Sequence, residues 1–153
     1  MKISQASVMD TVRDYLNSQG WRFNETENRF KFGMNLKSRL GSTEVLILCH
    51  EGHFTVYAYA PLKASEDIRE ACMSFITYAN YGLRRGNFEM DLNDGEIRFK
   101  NFLGFGDTFP SASEVEATVD IAILMMDRYG NGLTKVMFGG ADPKAACEEC
   151  EAQ

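Results

Sequence analysis

The stretch "TEVLILCHEGHFTVYAYA", residues 43–60, contains two apolar segments joined by the polar turn "HEGH". Successive side chains of a β-strand point to opposite sides, so a strand with one buried face has polar residues at every second position. Here large side chains occupy both sides of the two segments, and those on the second side are Leu46, Leu48, Tyr57 and Tyr59. Strands that are apolar on both sides are typical of a sheet centre that is covered twice. We therefore predict a central β-hairpin.

Segments with period-two alternation lie on either side of this hairpin in the sequence. The stretch "WRFNETENRFKFGM", residues 21–34, predicts one hairpin, and "NFEMDLNDGEIRFK", residues 87–100, predicts another with its turn at Asn93-Asp94-Gly95. Residues 101–109 either extend the sheet or form a loop. If the strands of these hairpins pair without a bulge or a one-residue slip, four basic residues face the same side as Leu46, namely Arg29, Lys31, Arg98 and Lys100.

Three longer segments have the apolar spacing of amphipathic helices, and they lie at about residues 7–20, 65–83 and 113–129. Ser65 is the expected N-cap of the second helix, and Ser113 with Glu116 forms the expected capping box of the third.

We predict an α+β fold with a largely antiparallel sheet of five to seven strands and three main helices, in the order α-ββββ-α-ββ(β)-α. Residues 1–153 form a single domain in this interpretation. Within it, residues 141–153 form a short helical tail that starts at Asp142-Pro143.

The overall charge argues against several classes of partner. The chain has 16 basic and 22 acidic residues and a net charge of −6, which disfavours nucleic acid as a partner.

Its longest apolar runs, "VLILC" and "IAILMM", are far shorter than the roughly 20 residues that span a bilayer. The first ten residues lack the apolar core of a signal peptide. We expect a soluble cytoplasmic protein that binds neither nucleic acid nor membranes.

Cysteine and histidine form two short patterns that could bind metal. Cys147 and Cys150 make a C-x-x-C, but no second such pair follows, and the acidic neighbours of these thiols should raise their pKa. His50 and His53 flank the predicted turn of the central hairpin. The two half-sites are distant in the sequence, and we predict no metal site and no cofactor. Cys49 and Cys72 lie in apolar surroundings and are expected in the core.

The loop Gly82-Leu83-Arg84-Arg85-Gly86 is the remaining candidate for chemistry. Phosphate cradles form where a glycine-rich loop precedes a helix, whereas this loop follows one. Arginines at a helix C-terminus complement the negative end of its dipole. We interpret the loop as a helix end, and keep a small-ligand or anion sensor that uses Arg84 and Arg85 as the alternative. No set of catalytic residues is suggested, so we predict that the protein is not an enzyme.

The stretch "YANYGLRRGNFEMDLNDGEIRF", residues 78–99, resembles the YbjN-like family, which is regarded as a group of bacterial sensory-transduction regulators. Residues 21–32 and 127–148 are similar to other recurring stretches of that family, and the resemblance extends over about residues 4 to 150. It implies a fold like that of type III secretion chaperones, and a homodimer that binds other proteins. It supplies no catalytic residues and no metal ligands.

The second side of the central hairpin then needs a cover, because exposed Leu46, Leu48, Tyr57 and Tyr59 would form an unusual patch on a monomer. A second subunit or a client could cover it, with the four basic residues bordering an acidic partner segment. The alternatives are that the third helix covers it, or that these are half-exposed edge residues. We predict a non-catalytic protein-interaction module, chaperone-like or regulatory, which acts through this sheet face and a dimer surface on a protein partner of unknown identity.

Overall fold

The computed structural model describes residues 2–152, and in that range it contains six strands and five α-helices. The strands are β1 (Asn24–Thr26), β2 (Arg29–Asn35), β3 (Ser42–His50), β4 (His53–Tyr59), β5 (Asn87–Met90) and β6 (Ile97–Gly104). The helices are α1 (Gln5–Gln19), α2 (Arg69–Gly82), α3 (Ala112–Arg128), α4 (Gly130–Gly139) and α5 (Pro143–Glu151), with a 3₁₀ turn at Glu66–Ile68. The predicted α+β class is confirmed, and α4 and α5 extend the predicted order at its end.

All six strands form one antiparallel sheet in the order β1-β2-β3-β4-β6-β5. The strands β3 and β4 occupy its two central positions, which confirms the prediction made from residues 43–60. Their turn is Glu51-Gly52, and Gly52 has a φ of 77°, a conformation that glycine adopts without strain.

The helices cover one face of the sheet, which we call the inner face. Val45, Ile47, Phe54 and Val56 of the central strands are fully buried there. Helix α3 packs on β4 and β6, and α1 packs on β3. The buried Asn101 of β6 donates a hydrogen bond from its amide nitrogen to the carbonyl of Thr118 at 3.0 Å, so α3 is tied to the sheet by a polar contact as well. No helix within residues 2–152 has the length and apolar character needed to cross a membrane.

One predicted helix cap is wrong, and another is correct in position only. The capping box of α3 uses Ser111 and Glu114 instead of Ser113 and Glu116. The sequence holds two overlapping Ser-x-x-Glu patterns, and local spacing alone does not distinguish them. Ser65 stands at the predicted N-cap position, at the start of the 3₁₀ turn that precedes α2. It makes no capping hydrogen bond, because its hydroxyl donates to the Asp67 carboxylate at 2.6 Å.

The last helix, α5, packs against α2 and α4 and buries Ala146, Cys147 and Cys150. The close contact of α5 with α4 depends on Gly132 in α4. A Cβ atom at that position would lie 2.7 Å from Cys150 Sγ and 2.7 Å from Phe75 Cε1. These distances are too short for a real side chain, so the absence of a side chain lets the three helices meet.

We expect Gly132→Ala to lower the free energy of unfolding by about 1–3 kcal/mol, because the added methyl group overpacks the contact between α4 and α5. Gly139→Ala is the matched control, since a Cβ there meets nothing within 4 Å. It should be neutral or stabilising by about 0.5–1 kcal/mol. Urea unfolding of both variants measures the difference, and equal effects would contradict the packing described.

Candidate functional site

The face of the sheet opposite the helices is the first candidate surface. We call it the outer face and define it by the strip Leu46, Leu48, Tyr57 and Tyr59 with the bordering basic residues Arg29, Lys31, Arg98 and Lys100. Residues directly opposite each other in an antiparallel pair point to the same face. Leu46 is opposite both Lys31 and Tyr57, and Tyr57 is opposite Lys100. The predicted placement of the basic residues beside the apolar strip is therefore confirmed.

The apolar strip is half-buried, and it belongs to the two central strands. The alternative in which these are half-exposed edge residues is therefore correct about their exposure and wrong about their position in the sheet. The alternative in which α3 covers them is also wrong, because α3 binds the inner face through Asn101 and Thr118. A groove of about 690 Å³ runs over part of the outer face, with Leu46 and Tyr59 in its lining.

A charged cluster on β5 and β6 holds the two tyrosines in place. Arg98 Nε and Lys100 Nζ each donate a hydrogen bond of 2.7 Å to a different oxygen of Glu89. The Arg98 guanidinium carbon lies 4.1 Å from the centre of the Tyr57 ring, close enough for a cation–π contact. Arg98 Nη1 also donates to the Tyr59 hydroxyl at 3.2 Å. One arginine thus positions both aromatic rings of the strip.

The pKa of Glu89 is set by opposing effects. Burial raises this pKa, but the hydrogen bonds and positive charges of Lys100 and Arg98 outweigh burial, and the net shift is downward. Sequence reasoning did not find Glu89 as part of the surface. The only indication of it in the sequence was that Glu89 lies in the same predicted hairpin as two basic residues. The ion pairs also depend on the strand register, which places Glu89 opposite Arg98.

The loop with Arg84 and Arg85 lies at the end of α2, as predicted. The backbone N–H of Leu83 donates to the carbonyl of Asn80 at 3.2 Å, and Gly86 has a φ of 73° where the chain turns into β5. Asn80 ties the helix end to the sheet, because its amide oxygen accepts from Phe88 N at 2.7 Å and its amide nitrogen donates to Phe88 O at 3.0 Å. Both arginines are exposed.

The cysteines and histidines form no larger cluster. Within residues 2–152, no three His, Cys, Asp or Glu side chains lie together in a way that could hold a metal ion. His50 and His53 face each other across the β3–β4 turn with ring centres 4.9 Å apart. Cys49 and Cys72 are fully buried, which confirms the prediction for them.

The thiols of Cys147 and Cys150 are also buried. Burial is the main cause that raises the pKa of Cys147 to about 11, and the charge of Glu151 adds to it. The pKa of Cys150 is raised for the same main reason. The predicted direction is confirmed, but burial contributes more than the acidic neighbours that suggested it.

Comparison with known proteins identifies the family. The model of a family described as "YbjN: Putative bacterial sensory transduction regulator" matches residues 9–135. The chain belongs to the YbjN family. A solved structure described as "Crystal structure of YbjN, a putative transcription regulator from E. coli" is similar in fold, with a TM-score of 0.58 and 14% sequence identity over 80% of this chain and 93% of that one. No curated protein matches the chain.

In this YbjN-family protein we expect Glu89→Gln to lower stability by about 1 kcal/mol at pH 7, because two charge-assisted hydrogen bonds are weakened. The folded-state pKa of Glu89 is lowered, so its carboxylate stabilises the protein above its unfolded pKa. That contribution is lost as the pH falls through the folded-state pKa. Urea unfolding from pH 7 down to about pH 3 should show the difference between wild type and variant shrinking.

The exposed Glu27 provides the control, as Glu27→Gln changes the same charge outside any ion pair of residues 2–152. A deficit of Glu89→Gln that stays constant across this pH range would contradict the assignment.

We also expect the native YbjN-family protein to react slowly with Ellman's reagent at neutral pH, because all four cysteines are buried. Few thiols with a raised pKa are ionised there, and the thiolate is the reactive form. Unfolding in guanidinium chloride should release all 4 thiols at once. Rapid reaction of two thiols in the native protein would show that α5 does not stay docked.

Proposed function

We propose that the chain is a non-catalytic regulatory protein that acts by binding a protein partner through its outer face, and that it forms a homodimer. The observation that carries the proposal is the apolar strip on the two central strands. Leu46, Leu48, Tyr57 and Tyr59 are only half-buried, and the helices lie on the other side of the sheet. Contiguous apolar surface bordered by polar residues is typical of protein–protein interaction sites.

The composition of the outer face supports a protein as its occupant. Tyrosine and arginine are enriched at the energetically important positions of protein interfaces. The strip supplies two tyrosines, and Arg98 packs on the ring of Tyr57. A small molecule would instead need a concave pocket that buries most of its surface, whereas the groove beside Leu46 and Tyr59 is open to solvent.

The charges on the outer face support an acidic partner segment. Arg98 and Lys100 share the single carboxylate of Glu89. Arg29 and Lys31 form no ion pair with any residue in the range 2–152. Glu44, Glu96 and Lys63 also line the groove on this face, which brings its charged side chains to five basic and three acidic. The face therefore carries an excess of positive charge on a protein whose net charge is −6. Complementary charge at the rim of an interface raises the association rate and selects among partners. A chaperone-like or regulatory role in the cytoplasm is consistent with this kind of binding.

The double variant Leu46→Glu with Tyr59→Glu should separate the homodimer into monomers and leave the melting temperature close to that of wild type. Two carboxylates on the apolar strip would have to be buried in any complex that covers it. Sedimentation velocity and thermal melting are the measurements. The matched control is Leu92→Glu with Phe138→Glu, since these side chains are 60% and 66% exposed elsewhere on the surface.

The results separate the parts of the proposal. A wild-type protein that sediments as a monomer contradicts the homodimer. A large loss of stability in the first variant alone places the strip within the protein's own core, whereas a stable variant that stays dimeric removes the outer face as the dimer surface. Affinity purification from the native host, with mass spectrometry of the bound proteins, tests whether the outer face binds a client protein. The client should copurify with the control variant and should be absent from Leu46→Glu with Tyr59→Glu.

A further inference from the structure

A second groove lies on the helical side of the protein, between the loop after α2 and the outward side of α3. Its volume is about 360 Å³, and its main lining residues are Leu83, Arg84, Arg85, Ile121, Met125 and Arg128. We call it the arginine groove. We propose that the arginine groove binds an acidic polypeptide segment that places one apolar side chain between the arginines.

The floor of the arginine groove is apolar. Helix α3 uses one side, including Val115, Val119 and Met126, to pack on the core, and these residues are buried. Ile121 and Met125 lie on another side of the helix and stay half-exposed, as does Leu83. Leu124, next to them on α3, is 57% exposed. The helix thus presents a second apolar stripe that stays partly exposed.

Two of the three arginines are held at opposite ends of this floor. Arg85 Nη2 donates to Thr118 Oγ1 at 3.2 Å, and Arg128 Nη2 donates to the carbonyl of Glu151 at 3.3 Å. Thr118 and Arg128 are ten residues apart on α3, which corresponds to about 15 Å along the helix axis. An extended peptide covers that distance in about four or five residues. An apolar residue at the centre of such a segment would lie over Ile121 and Met125.

The charge balance of the groove favours an acidic occupant. Its lining contains three guanidinium groups and one carboxylate, that of Glu151, which accepts a hydrogen bond from the Tyr129 hydroxyl at 2.8 Å. Arg84 forms no ion pair within residues 2–152 and can contact a ligand without first breaking one.

A single small anion fits this geometry less well. The arginines surround an extended floor instead of one point, and the loop follows a helix C-terminus, which presents free carbonyl groups instead of the free N–H groups of a helix N-terminus. The groove is also open, so a small molecule could not bury the 70–90% of its surface that is usual in ligand pockets. A peptide needs only its central side chain covered.

The test uses a fluorescein-labelled peptide, GDEALFAEDG, and fluorescence anisotropy with the full chain. Wild type should bind it saturably. Arg84→Glu with Arg85→Glu should weaken binding at least about tenfold, because charge attraction becomes repulsion. The control, Arg22→Glu with Arg39→Glu, makes the same change in net charge at exposed positions outside the groove and should stay within about twofold.

Changes in the peptide test the same proposal without altering the fold. The peptides GDEASSAEDG, which lacks the apolar centre, and GKKALFAKKG, which reverses the charge, should both bind much more weakly. The proposal would be overturned if Arg84→Glu with Arg85→Glu and the control variant weakened peptide binding equally. It would also be overturned if either altered peptide bound as tightly as GDEALFAEDG, or if millimolar inorganic phosphate displaced that peptide fully. The variant Leu46→Glu with Tyr59→Glu should bind GDEALFAEDG like wild type, so failure here is separate from failure of the outer-face proposal.

Discussion

The pairing of β3 with β4 is the constraint on which the rest of the structure depends. Its register is fixed by the two-residue turn Glu51-Gly52, which places His50 opposite His53 and Leu46 opposite Tyr57. A slip of one residue would exchange the two faces of a strand. If β3 slipped, Val45 and Ile47 would face solvent, and Leu46 and Leu48 would be turned toward the helical layer. The register therefore determines both the core and the candidate interaction surface.

Polar contacts transmit this register to the helices. Asn101 on β6 binds the carbonyl of Thr118, and Asn80 at the end of α2 binds both backbone groups of Phe88 on β5. These contacts fix where α3 lies and where α2 ends relative to the sheet. The arginine groove is a consequence, because it forms where the end of α2 meets the outward side of α3. The two candidate surfaces are thus positioned by the same sheet, one on each side of the molecule.

Sequence patterns predicted those features that depend on neighbouring residues. The two-sided apolar character of residues 43–60 indicated the central hairpin, and the glycines after Asn80 indicated the helix end. Features that depend on packing were not predicted. Glu89 joins Arg98 and Lys100 only in the actual register. Arg128 joins Arg84 and Arg85 only once α2 and α3 are placed together, since more than forty residues separate them in the sequence.

The same limit explains why the arginine loop was hard to interpret. In the sequence Arg84 and Arg85 follow a helix, and the interpretation as a helix end is correct for the backbone. The side chains nevertheless make contacts that a helix end does not require, because Arg85 donates a hydrogen bond to Thr118 on another helix. In a protein with a net negative charge, an exposed cluster of arginine or lysine is a local region of positive charge. Such a region attracts acidic partners more strongly than neutral or basic ones. Both the outer face and the arginine groove have this combination of an apolar centre and a basic border.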